Sequence, residues 1–92
     1  MDSALALPAT LTQAQAGAAL RQLQQAMAAL PAQAAVEVDA SALASFDSSA
    51  IAVLLECRRG ALAAGRPFAV RQAPHTVATL ARLYGVDGLL QI

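Results

Sequence analysis

The chain has 92 residues, and its six arginines are balanced by six acids, giving a net charge of zero. That length makes one small domain, residues 1–92, and the even balance excludes the basic footprint of a nucleic-acid binder. Cys57 stands alone, which excludes an internal disulfide and a thiolate metal site, and no apolar run approaches the ~20 residues of a membrane span. The first residues, MDSALALPAT, carry an acid where a signal peptide carries positive charge, so a cytoplasmic location is expected. Of the residues, 58% are apolar, but 25 of these are alanine, so the expected core is thin.

Along the chain, Ala4–Leu7 is a short apolar segment ended by Pro8, suited to one brief strand. Thr12 with Gln15 three residues on matches a capping box and predicts a helix running to about Leu30, stopped by Pro31. Leu20, Leu23, Met27 and Leu30 recur on its apolar face. Val36 and Val38 alternate with Glu37 and Asp39, a strand signal. An apolar run after Asp47-Ser48-Ser49 predicts a second helix to about Ala64, with Gly65 as its C-terminal glycine. Residues 67–72 predict a further strand. Pro74 opens a third helix whose face is Val77, Leu80, Ala81 and Tyr84, and Gly85 ends it. Tyr84 is expected at the core or its edge. A turn and a short apolar tail close the chain. Strands alternating with helices predict an α/β domain with a largely parallel sheet and crossover helices.

The chemistry-bearing residues concentrate at the start of the second helix. A helix N-terminus has four backbone N–H groups without intrahelical partners, and Asp47 or Ser48 can cap one. If Asp47 is the cap, Ser48 is free to point outward. On a wheel centred on Ile51, the residues Leu54, Leu55 and Leu62 share the inner side, with Arg58 at its edge. Ser49, Ala52, Glu56, Arg59 and Ala63 lie opposite, with Val53 at the border. This outer face is smooth and weakly polar, which permits close approach by another protein; an ordinary solvated face has the same composition. A phosphate on Ser48 would lie near the positive end of the helix dipole and add about −1.5 to −2 charge.

Neither a phosphate-cradling glycine loop nor a metal-binding histidine pair is present. His75 has no evident orienting partner, and Cys57 lies inside an apolar run, where cysteine commonly packs as a small hydrophobe. The expectation is a protein that is not an enzyme and takes no cofactor.

Two stretches carry a resemblance. VEVDASALASF followed by DSSAIAVLL, a helix and a strand after AGRPF resembles a STAS domain. The ending TVATLARLYGVDGLL is similar to that of the small STAS subunit of Mla-type phospholipid ABC transporters, and more distantly the chain resembles anti-sigma factor antagonists. The resemblance implies a STAS-like, mixed but largely parallel sheet of about four strands, short at the N-terminus. It departs from the family at Ala50, where a glycine is usual. By position, Ser48 takes the place of the family's phosphorylated or partner-contacting residue. The implied partner-binding or phosphorylation site is Ser48 with Asp47, Ser49, Ala52 and Glu56. The implied partner is the ATPase subunit of an ABC transporter, with an anti-sigma factor kinase as the alternative. Contact with a membrane would then be indirect, through the transporter at the cytoplasmic face of the inner membrane. A short N-terminus also leaves open self-association through an uncovered sheet edge.

Overall fold

In the computed structural model, which describes residues 5–92, the order is β1 (Thr10–Leu11), α1 (Gln13–Ala28), β2 (Val36–Asp39), β3 (Ser45–Phe46), α2 (Ser48–Ala63), β4 (Phe68–Arg71), α3 (His75–Leu83) and α4 (Asp87–Leu90). β2 pairs with β4 in parallel, Val36 opposite Phe68 and Asp39 opposite Arg71. β1 pairs with β3, also in parallel. The segment after the undescribed Ala4 joins the two pairs. Asp39 N–H donates to Leu5 O at 2.8 Å, and Leu7 N–H donates to Asp39 O at 2.9 Å, a parallel bridge at Ala6. Two residues later, Ala9 O accepts the N–H groups of Ala44 and Ser45. Of the strand expected at Ala4–Leu7, Ala4 lies outside the described residues, and the rest forms a single bridge along β2. The expected sheet of about four strands is two parallel pairs, and every pairing among the described residues is parallel.

Alternation sets the layers. Val36, Val38, Phe68 and Val70 are buried, while Glu37, Asp39 and Ala69 are half-buried and Arg71 is exposed. One sheet face meets the helices, as period-two side chains require, and the other carries the Glu37–Arg71 ion pair at 2.7 Å. Leu5, Leu7 and Leu11 fill the same core as Leu23 and Met27 of α1, Leu54 of α2, Val77 of α3 and Leu90 of α4. Among the described residues no polar or charged side chain is buried.

Local chemistry explains the helix limits. Thr12 is extended, and Gln15 Oε1 accepts its N–H at 2.9 Å and its hydroxyl at 2.6 Å, so α1 starts where the capping pattern places it. Beyond α1, the Arg66 guanidinium donates to Pro31 O at 2.7 Å, Ala34 O at 3.2 Å and Leu30 O at 3.3 Å, tying down the turn before β2. α2 and α3 end alike. Gly65 and Gly85 both have φ near +73°. Gly65 N–H donates to Leu62 O and Arg66 N–H to Ala61 O; Gly85 and Val86 repeat this onto Arg82 O and Ala81 O. Both are Schellman turns, in which glycine takes the left-handed position without a Cβ penalty.

The structure corrects three expectations. The closing tail is a short helix, α4, with Leu90 fully buried. The buried side of α2 is Ala50, Ile51, Val53, Leu54, Cys57 and Ala61. Val53 is 3% exposed and belongs inside, whereas Leu62 is 47% exposed and belongs outside. Small residues allow α2 to lie close to its neighbours, above all α1, and this rotates the buried stripe away from the side where the bulkiest side chains cluster. Lastly, Tyr84 is the C-cap of α3 and 55% exposed, because the chain leaves the core at the Gly85 turn.

Candidate functional site

The start of α2 is built around one carboxylate. Asp47 is the N-cap, and its Oδ1 accepts the Ser49 N–H at 2.8 Å. Its Oδ2 accepts the N–H of Gln13, the first residue of α1, at 3.2 Å. One side chain therefore satisfies an orphan donor at the N-termini of two helices. The Ser49 N–H holds the Asp47 carboxyl below its usual range, the Ser49 side chain and the Gln13 N–H add to this, and partial desolvation opposes it. Ala50 stands fully buried, with its N–H donating to Asp47 O at 3.0 Å. Alanine in place of the family's usual glycine leaves an ordinary helix start.

With Asp47 as cap, Ser48 is exposed, and its hydroxyl has no hydrogen-bond partner among the described residues. Ser49 is half-buried beside Asp47. Ala52, one turn on, is exposed. Glu56, a turn further, is half-buried and accepts from Arg59 at 2.8 Å. Arg59 lowers the Glu56 carboxyl pKa through that hydrogen bond first and its charge second. Ser48, Ala52 and Glu56 thus follow one strip of the helix, with Asp47 and Ser49 at its base.

This strip flanks a shallow depression of about 250 Å³ lined by Ser48, Ile51, Ala52, Leu55, Tyr84 and Val86. Ile51, Leu55, Tyr84 and Val86 are the residues that sequence reasoning missed here. The signal that could have found the last two is Gly85: a left-handed turn at the end of α3 sends the flanking side chains back toward α2. The patch is chiefly apolar, with one free hydroxyl at its upper end. Such a surface can hold another protein's apolar side chain and read its shape.

The residues with catalytic potential lie elsewhere. Cys57 is fully buried on α2, and burial, with a smaller contribution from Glu56, pushes its thiol up to about 11. A thiol in that state is a poor nucleophile. His75 is exposed at the first position of α3. No group of three or more histidine, cysteine or acidic side chains that could hold a metal ion occurs among the described residues. No helix among them is long and apolar enough to cross a membrane.

A small α/β domain of four helices and short parallel strand pairs is consistent with a STAS-like fold. The family model described as "Mlab, STAS domain" matches residues 2–91, and the chain belongs to this family. No curated protein matches the chain.

Proposed function

We propose that the chain is a non-enzymatic accessory subunit of an ABC transporter, of the Mla-type system that moves phospholipids. It docks on the transporter's cytosolic ATPase subunit through the Ser48 end of α2, at the cytoplasmic face of the inner membrane. The observation that carries this reading is the surface at that end: a free Ser48 hydroxyl, a bare Ala52 and the apolar depression against Tyr84. The family description points the same way. The chain contributes binding and no catalytic step. Co-purification with the ATPase subunit tests the proposal. Ser48→Arg and Ala52→Arg each weaken the complex, and Ser49→Glu weakens it less. Binding that survives all three substitutions rules this docking surface out.

A second reading rests on the same hydroxyl. An exposed, unpartnered serine at a helix start is open to a kinase, and a phosphate there would stand beside the Asp47 carboxylate, adding like charge to a nearly neutral patch. In that reading the chain is an antagonist of an anti-sigma factor, and the kinase is its partner. Mass spectrometry of the protein from cells separates the two readings: Ser48 modified to high occupancy favours the second, and Ser48 never modified favours the first.

A further inference from the structure

β4 has a second edge. Val36 N–H donates to Pro67 O at 2.8 Å and Ala40 N–H to Arg71 O at 2.9 Å. Odd-numbered residues of this stretch thus point their peptide groups at β2, and by the alternation of a parallel ladder Phe68 and Val70 point theirs the other way. β4 has no other strand neighbour among the described residues, and the outward peptide groups of Phe68 and Val70 find no partner there. Such an edge is a template for an added strand.

Beside this edge lies a groove of about 360 Å³, between the starts of β2 and β4, the second half of α2, and α4. Two of the four exposed large hydrophobics, Leu62 and Leu89, line it. So does Arg58, which is half-buried. Arg59 pairs with Glu56, Arg71 pairs with Glu37, and Arg66 is bound to three carbonyls. Arg58 has no hydrogen-bond or ion-pair partner among the described residues. Glu37 also lines the groove, but its carboxylate is engaged by Arg71. A guanidinium that has no ion-pair partner and is carried on a half-buried residue favours a carboxylate that can reach it.

We propose that this groove binds an extended acidic segment of a partner protein, added as a strand along β4. A carboxylate of the segment meets Arg58, and an apolar side chain two residues away, on the same face of the strand, covers Leu62 and Leu89. A second copy of this chain fits poorly. β4 paired with β4 would bring Phe68, Ala69, Val70 and Arg71, which carry no acid for Arg58 and add another positive charge. The site is separate from the docking surface proposed above, since Arg58 lies ten residues, or about 15 Å, along α2 from Ser48.

The test is NMR titration of the full chain with acetyl-Thr-Glu-Thr-Leu-Thr amide, and with the same peptide carrying glutamine for glutamate. The expected result is shifts at the amides of residues 67–70 and 88–91, and slowed hydrogen exchange at Phe68 and Val70. Arg58→Gln, or the glutamine peptide, weakens binding about tenfold or more, while Arg82→Gln changes nothing. The proposal is overturned if the shifts fall at the Ser48 end or do not occur. Equal binding by the Arg58→Gln variant or by the glutamine peptide overturns it too. So does concentration-dependent dimerisation that protects Phe68 and Val70 without peptide.

Discussion

Asp47 accepts from Ser49 with one oxygen and from Gln13, 34 residues before it in sequence, with the other, so a single carboxylate spans two helix N-termini. Replacing it with alanine removes both acceptors. Asp47→Ala is expected to lower the thermal midpoint by several degrees and to speed hydrogen exchange at Ser49 and at Gln13 together. Faster exchange at Ser49 alone would mean that the contact to α1 contributes nothing. The pH dependence follows from the sign of the shift. The Asp47 carboxyl titrates lower in the folded chain than in the unfolded one. Its stabilising contribution is therefore complete above the unfolded value of about 3.9 and is lost as pH falls through the folded value. Glu37 with Arg71, Asp39 with the Ser41 N–H, and Glu56 with Arg59 shift in the same direction. Denaturation curves should be nearly flat from neutrality to about pH 5 and fall below it. In Asp47→Ala that acid loss should be shallower.

Elements with a local signature were legible in the sequence. Thr12 and Gln15 mark the start of α1, the Val/acid alternation marks β2, and Gly65 marks the end of α2, because each reflects chemistry within a few residues. β1 and β3 were not legible. Each is two residues long and exists because Thr10 and Leu11 meet Ser45 and Phe46 across the fold. The α4 sequence reads as a turn and tail, with Gly88 a weak helix former; the helix forms around Leu90, which the core buries completely. Leu90→Ala should cost about 2–5 kcal/mol, measurable by urea unfolding. A smaller cost would show that α4 is not anchored. At the end of α2, Gly65→Ala forces a Cβ into the left-handed region and should cost about 1–2 kcal/mol. The same substitution at Gly60, within α2, should cost less, because its Cβ meets only Met27 Cε at 3.6 Å.

At the scale of the molecule, the candidate site was half legible. Asp47, Ser48 and Ala52 were visible because a cap, a free hydroxyl and a small residue follow one another at helical spacing. Tyr84 and Val86 were not, because they reach α2 only through the reversal at Gly85. The result is a thin core with an unpaired sheet edge at one side and a nearly neutral apolar patch at the start of α2, the surface through which the proposed function has the chain dock on a transporter ATPase. The most direct test of that account is the affinity of the purified chain for the transporter's ATPase subunit, measured by calorimetry for the wild type and Ala52→Arg. Ala52 is exposed and makes no part of the core, so the unfolding curve should not change. The account predicts affinity at least about tenfold weaker, the effect of a long charged side chain standing in an apolar contact. Equal affinity for both proteins, with both folded, would contradict it.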